Sequence, residues 1–317
     1  MSEAHHTPGQ PSPRQVWDVQ ANSSSDAWLV TDLGIVARDR DGWQLIPLPS
    51  DVIDMGGPGA LGNAEGVHWI AGGQSALIRT TDDGASWGVC WLDGVQQIIA
   101  CIAASPRFWA DRAVLAGTLG AGVLRSTDGG RRWLLSNFGL QDFTILALAT
   151  AGDWTRREVA FAGTLDGIYR SIGGGRAWKF AGLNGLAIQA LAASRRYAET
   201  GLVMAGSEEA GLQRSTDGGR TWRPAGAEIG RTASINGLLC IATEDGDGWI
   251  AGTDGGSLWR SADAGDSWQL VREADHSVLA LAAGPDAQLY AALGEGGLLA
   301  SGDAGQTWQP YLLNYPG

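Results

Sequence analysis

Lysine is almost missing from this 317-residue chain: Lys179 is the single example, and arginine supplies the other permanent cations. With a net charge of −12, nucleic acid and anionic membranes are excluded as overall partners, because binding to a polyanion needs a broadly basic surface. Cysteine is scarce too. Cys90, Cys101 and Cys240 share no metal-type spacing and leave an odd thiol, which argues against a disulfide framework and for a reducing compartment. Each reads as a small buried hydrophobe. No run reaches the roughly 20 apolar residues of a membrane-spanning helix. Residues 1–14 (MSEAHHTPGQPSPR) lack the apolar centre of a secretory signal, so a disordered tail on a cytoplasmic protein is expected. The chain has only four histidines. No Ser/His/Asp or Cys/His constellation is visible, and His5 and His6 have no third ligand nearby, so neither a metal nor a cofactor is expected.

Tryptophan and glycine are abundant, and they are periodic. Trp43, Trp87, Trp133, Trp178, Trp222, Trp268 and Trp308 follow one another at intervals of 44, 46, 45, 44, 46 and 40 residues, a period expected of units that cannot bury a core alone. The fullest unit, Gln97 to Leu135, parses as four short strands: 97–104, 113–117, 122–125 and one starting near Trp133. Seven such units predict an all-β fold over 15–317, a seven-bladed β-propeller of four-stranded antiparallel blades. If the first strand lies near 15–20 and the last over 307–313, the first and last blades each own four strands, and the ring closes by packing. The alternative is an N-terminal strand that completes the last blade.

Six tryptophans close a segment reading approximately S/T-x-D-x-G-x-x-W. In it, Asp82, Asp128, Asp217, Asp263 and Asp303 can fold a carboxylate back onto turn N–H groups, while the glycine two positions on supplies positive φ. Trp87, Trp133, Trp178, Trp222, Trp268 and Trp308 are then placed to fill space between sheets. Repetition around a ring makes these aspartates structural, not metal ligands or catalytic acids. Gly173 stands where the fourth unit should carry aspartate, so its hairpin is expected to be the most weakly fixed. An arginine precedes each of five boxes (Arg79, Arg125, Arg170, Arg214, Arg260), which points to packing between blades.

This motif resembles the Asp-box, or BNR, repeat family, which includes sialidases, sortilin-type receptors, xyloglucan-degrading glycosidases and photosystem II assembly factors of the Ycf48 type. The resemblance spans about Val16 to Leu313. It implies the propeller fold and is nearly silent on function, because propellers host unrelated activities. A sialidase resemblance would imply an arginine clamp, a tyrosine–glutamate nucleophile pair and an acidic aspartate, yet the innermost strands from 98 to 283 carry no Arg, Tyr or Glu. The xyloglucan-type enzymes resemble two propellers flanking a cleft, and this chain has one. Asp54 and Asp142 are the remaining candidates for a carboxylate pair. The stretch from Thr243 to Gly248 (TEDGDG) can be read as a calcium loop or as a hairpin turn, and it lacks a distal bidentate glutamate.

Propeller connections alternate between two faces, which sorts the charges. One mouth collects Asp32, Asp51, Asp54, Asp93, Asp142, Asp166, Glu208, Glu209, Glu228, Asp254, Glu273, Asp275 and Glu295. On the other face, three consecutive units bring Arg107 with Arg112, Arg156 with Arg157, and Arg195 with Arg196, interleaved with Trp109, Trp154 and Tyr197. Arg131, Arg132, Arg176 and Arg220 extend this sector. Exposed guanidinium beside aromatic surface is a composition favoured at protein-interface hot spots. The competing reading is a solvated rim in which these arginines pair with Asp111, Asp153, Glu158 and Glu199. The expectation is a non-catalytic propeller that binds another protein or complex, as an assembly factor or scaffold. The alternative is a carbohydrate-binding or glycoside-hydrolysing propeller working at the acidic mouth.

Overall fold

Two kinds of apolar pattern determine where each strand sits. The second strand of most units is apolar throughout, as in AWLVT, VLAGT, AFAGT, VMAGS and LYAAL, and every one of these residues is buried. Such a strand has a neighbouring sheet on both faces. The first strands alternate instead: ILALAT and IQALAA are buried and half-buried in turn, and the half-buried set, Leu146, Leu148, Gln189 and Leu191, borders a central channel.

The computed structural model describes residues 16–21, 27–31, 34–38, 43–49, 58–64, 67–72, 76–92, 97–151, 157–244, 246–284 and 288–311. The expected tail over 1–14 lies outside them. Blade 1 comprises Val16–Ala21 (β1), Ala27–Thr31 (β2), Gly34–Arg38 (β3) and Trp43–Ile46 (β4). Blade 2 follows with Pro58–Ala64 (β5), Val67–Gly72 (β6), Ala76–Thr80 (β7) and Gly88–Trp91 (β8). In blade 3 the strands are Ile99–Ala104 (β9), Val114–Thr118 (β10), Val123–Ser126 (β11) and Leu134–Leu135 (β12). Blade 4 has Ile145–Thr150 (β13), Ala160–Thr164 (β14), Gly167–Ser171 (β15) and Lys179–Gly182 (β16). Next come Ile188–Ala193 (β17), Val203–Ser207 (β18), Leu212–Ser215 (β19) and Arg223–Ala225 (β20) in blade 5. Ile235–Thr243 (β21), Gly246–Thr253 (β22), Ser257–Ser261 (β23) and Gln269–Glu273 (β24) form blade 6. Blade 7 closes the chain with Val278–Ala283 (β25), Leu289–Leu293 (β26), Leu298–Ser301 (β27) and Gln309–Pro310 (β28).

Each blade is an antiparallel four-stranded meander, and the first strands meet around the axis, β1 lying against both β5 and β25. The molecule is a seven-bladed β-propeller. Its ring closes by packing between blades 1 and 7: β1 pairs with β2 inside blade 1, and β28 pairs with β27 inside blade 7. The segment read as a calcium loop or a turn is a hairpin end, with Thr243 opposite Gly246.

The core is divided into seven clusters, one at each joint between blades. A box tryptophan enters the joint with the preceding blade: Trp178 packs with Leu115 and Val123 of blade 3, and Trp308 with Ile250 and Leu258 of blade 6. Trp178 and Trp222 also donate their indole N–H to carbonyls of the preceding blade, Ser136 at 2.9 Å and Ala181 at 3.1 Å. Close approach is set by glycine. A Cβ on Gly163 or Gly206 would lie 2.5 or 2.6 Å from the carbonyl oxygen of Ile188 or Ile235, the residue that opens the next blade.

The box hairpins share one hydrogen-bond scheme. In blade 6, Asp263 accepts from Ser261 Oγ (2.8 Å), Ser267 N (2.9 Å) and Ser267 Oγ (2.6 Å), while Ser261 Oγ accepts from Gly265 N (2.9 Å). Blade 4 keeps only the serine half, Gly175 N to Ser171 Oγ at 2.9 Å. There Glu158, from the first-to-second connection, brings a carboxylate to the hairpin and takes Arg176 Nη1 at 2.7 Å.

Candidate protein-binding surface

The antiparallel meander sends the first-to-second connections and the boxes to one face. In blades 3 and 5 those connections are not irregular loops. Each forms a single helical turn, Phe108–Asp111 (α1) and Tyr197–Thr200 (α2), closed by a left-handed residue, Arg112 at φ 54° and Gly201 at φ 59°.

The serine that opens each turn organises it. Ser105 Oγ accepts from Arg107 N (3.0 Å) and donates to Asp111 (2.6 Å), whose other oxygen takes Ala113 N (2.8 Å). Asp111 is therefore spent within the turn, on the Ser105 hydroxyl and one backbone N–H. Phe108, the first helical residue, is buried against Trp69 with ring centroids 5.0 Å apart. Trp109, one position on, is 60 % exposed, and Arg107 lies over its ring at 5.8 Å. Arg112 covers the Phe108 ring at 5.2 Å, so aromatic and guanidinium surfaces do interleave here.

Blade 5 repeats the pattern, and this corrects one expectation. Tyr197 occupies the place of Phe108 and is only 8 % exposed. Its ring meets Phe161 edge-on at 6.1 Å, and its hydroxyl donates to the Gly218 carbonyl at 3.0 Å. It is mainly a buried joint residue and not an exposed aromatic like Trp109. The residue that corresponds to exposed Trp109 is Ala198. A signal for this was present: Ser105-Pro106-Arg107-Phe108 aligns with Ser194-Arg195-Arg196-Tyr197.

Of the sector's other residues, Arg107 is half-buried, and Arg112, Arg157, Arg195 and Arg196 are exposed on this face with Arg131, Arg132, Arg176 and Arg220. Trp154, Arg156 and Asp153 lie outside the described residues. The solvated-rim reading accounts for two arginines: Arg176 pairs with Glu158 at 2.7 Å, and Arg196 with Glu199 at 4.0 Å. Arg107, Arg112, Arg131, Arg132, Arg157, Arg195 and Arg220 form no ion pair among the described residues. Between blades 4 and 5 the sector opens into a cleft of about 540 Å³, lined by Arg157, Arg170, Tyr197, Glu199, Thr200, Gly201, Asp217 and Arg220.

Arg170, one of the pre-box arginines, lines this cleft, while three others reach into the joints. Arg125 Nε donates to the Gly174 carbonyl at 2.7 Å, and Arg260 Nε to the Ala304 carbonyl at 3.0 Å, each in the box of the next blade. Arg214 instead gives Nη1 to the Asp266 carboxylate, and its buried Nε–H has no acceptor among the described residues.

On the opposite face the second-to-third turns place Asp166, Glu208, Glu209, Asp254 and Glu295. Asp142, a candidate catalytic acid, accepts from Thr144 N (2.8 Å) and Asp166 N (3.1 Å), so both its oxygens cap backbone. Asp54 lies outside the described residues. A channel of about 330 Å³ runs through the axis, lined mainly by Ala100, Ile102, Leu148, Leu191, Leu238 and Leu281. At this mouth Gln189 Nε2 donates to Ser234 (2.7 Å) and Asn236 (2.8 Å), tying blade 5 to blade 6. The thiols of Cys101 and Cys240 are pushed up to about 12 by burial and stay protonated. Among the described residues, no helix is long and apolar enough to cross a membrane.

These features define a seven-bladed propeller with one arginine-rich and one carboxylate-rich face. No family model matches the chain, and no curated protein matches it by sequence. Solved structures match it as folds. A glycoside hydrolase family 74 xyloglucanase from Xanthomonas campestris is similar with a TM-score of 0.75 at 17 % identity, over 97 % of this chain and 55 % of that one. The chain thus spans about half the length of that enzyme. YCF48 bound to a D1 peptide matches with a TM-score of 0.69 at 18 % identity, over 92 % of this chain and 95 % of that one. The WD40 propeller domain of Doa1 gives 0.71 at 11 % identity, over 94 % and 96 %. Likeness at such identities establishes the fold alone.

Proposed function

We propose that this chain is a non-catalytic, protein-binding propeller, an assembly factor or scaffold working in a reducing, cytoplasmic setting, and that it captures its partner on the arginine sector of blades 3 to 5. The observation that carries this is the set of guanidiniums on this face without ion-pair partners among the described residues, with Arg107 lying over exposed Trp109. Exposed tryptophan beside arginine is the composition of interface anchors, and unneutralised guanidinium favours a partner segment rich in carboxylate. The single-propeller YCF48, solved with a peptide, supports a binding role for this architecture. The engagement of Asp142 by backbone N–H groups weighs against glycoside hydrolysis at the acidic mouth.

The test is partner capture by the immobilised full chain, quantified by mass spectrometry. Arg107→Glu with Arg195→Glu is expected to reduce capture at least about tenfold, and Trp109→Ala to weaken it by roughly 1–2 kcal/mol, with unchanged thermal midpoints. Undiminished capture by the folded double variant would reject this surface. Turnover of a glycoside that Asp142→Asn abolishes would reject the non-catalytic reading.

A further inference from the structure

The first-to-second connection contributes one residue at the same place in three successive joints. The carbonyl of Arg112 takes Gly129 N at 3.0 Å, that of Glu158 takes Gly174 N at 2.7 Å, and that of Gly201 takes Gly218 N at 2.9 Å. Three side chains thus occupy one structural position. In blade 4 it is a carboxylate, and it neutralises the box arginine Arg176. In blade 5 it is a hydrogen atom, and the cleft lies there, with Gly201 in its wall.

Among the described residues the pre-box arginines divide in two: Arg125 and Arg260 satisfy their Nε–H across the joint, whereas Arg79, Arg170 and Arg214 do not. Arg125 and Arg260 give their Nε–H to Gly174 and Ala304, and the corresponding acceptor for Arg170 is the Gly218 carbonyl. That carbonyl already accepts from the Tyr197 hydroxyl. Arg170 is left with a buried Nε–H that has no acceptor and with an Nη2 at 3.5 Å from the Tyr197 oxygen. Joint 2/3 has the same displacement, Trp69 holding the Gly129 carbonyl at 3.1 Å. There, however, Arg112 fills the position that Gly201 leaves open.

We propose that the cleft between blades 4 and 5 is a carboxylate-binding pocket, in which Arg157, Arg170 and Arg220 hold an acidic group of a partner polypeptide where the preceding joint holds Glu158. This rests on the protein-binding reading and specifies its chemistry. Guanidinium presents paired N–H donors that match a carboxylate. Three arginines face two carboxylates. Asp217 is fully engaged by Ser215, Thr221 and the N–H of Arg220, and Glu199 leans toward Arg196. With Glu199 offset by Arg196 the cleft keeps net positive charge for an anion, and the Glu158–Arg176 pair of the preceding joint marks a carboxylate as its class.

The source of the carboxylate is separated by three N-acetylated glycine pentapeptides: one C-amidated with central glutamate, one with a free C-terminal carboxylate, and one C-amidated with central glutamine. Inorganic phosphate is the fourth probe. Each is titrated into the full chain while the arginine Nε–H resonances are followed by NMR. A saturable shift of the Arg170 Nε–H is expected with glutamate, with the free terminus, or with both, and whichever binds names the source. Arg157→Gln, at an exposed position, should weaken binding about tenfold, the worth of one charge-assisted hydrogen bond. Tyr197→Phe should release Gly218 to Arg170 and weaken binding to a similar extent. Carboxylate peptides that bind no better than the glutamine peptide, or phosphate that binds tighter than either, would overturn the proposal. Partner capture that survives loss of carboxylate binding rejects the pocket alone. Carboxylate binding in a chain whose capture ignores Arg107 and Arg195 rejects the wider sector and leaves the pocket.

Discussion

A single carboxylate per hairpin decides how firmly each blade's last turn is held, and blade 4 is the natural control. Asp82 is lowered to about 2 by hydrogen bonds from Ser86 and Thr80. For Asp263 and Asp303 burial alone would raise the carboxyl, but the bonds from Ser267 and from Thr307 outweigh it and hold each at about 2. Removing such an acceptor returns exposed turn donors to water. Asp263→Ala is expected to cost about 0.5–1.5 kcal/mol in urea denaturation. Gly173 has an ordinary negative φ, and a Cβ there would meet nothing nearer than Arg176 at 3.9 Å. Gly173→Asp should therefore stabilise the chain, by about 0.5–1.5 kcal/mol. An unchanged or lower midpoint would mean that Glu158 and Arg176 already fix this hairpin as well as an aspartate does.

Between elements, the joints depend on an arginine that crosses from one blade to the next box, and two of these arginines are expected to differ sharply. Arg260→Met removes the donor to Ala304 and should cost about 1–2 kcal/mol. Arg170→Met removes a guanidinium whose Nε–H has no acceptor, so it should cost less than about 0.5 kcal/mol. Equal losses in chemical denaturation would contradict the idea that Tyr197 has displaced Arg170. The seven blades, their four strands and the closure by packing were legible in the sequence, because tryptophan spacing and glycine position repeat with the backbone geometry that needs them. The strands of the unit from Gln97 shifted by one or two residues, which is within the fraying of strand ends. The helical turns α1 and α2 were not legible: four residues carry too little periodicity to announce a helix. That loss of detail misplaced Tyr197, since an aromatic among arginines reads as surface unless the turn that points it inward is known. The vacancy at Gly201 was hidden for a related reason. It emerges only when three connections of different length and composition are superposed by their backbone hydrogen bonds.

For the whole molecule, joint 1/2 and the box hairpins titrate in separate pH windows. His68 is 2 % exposed and stacks on Trp28 at 4.0 Å across this joint. Burial lowers its pKa below 6.5, although Asp83 at 3.5 Å opposes the shift. The unfolded chain then takes up a proton that the folded chain refuses, so stability falls as pH drops below about 6.5 and through the folded value. The box aspartates act later. Their folded pKa values lie below the unfolded value of about 3.9, so their contribution is complete above it and is lost as pH falls through about 2. Urea midpoints measured by tryptophan fluorescence from pH 8 to pH 2 should therefore decline in two steps. His68→Phe keeps a ring against Trp28 and removes the titrating group, so it should abolish the first step and leave the second. Asp82→Asn with Asp263→Asn and Asp303→Asn should shrink the second step and leave the first. A single decline, or an upper step that survives His68→Phe, would show that acid acts on the ring as a whole and not through this joint.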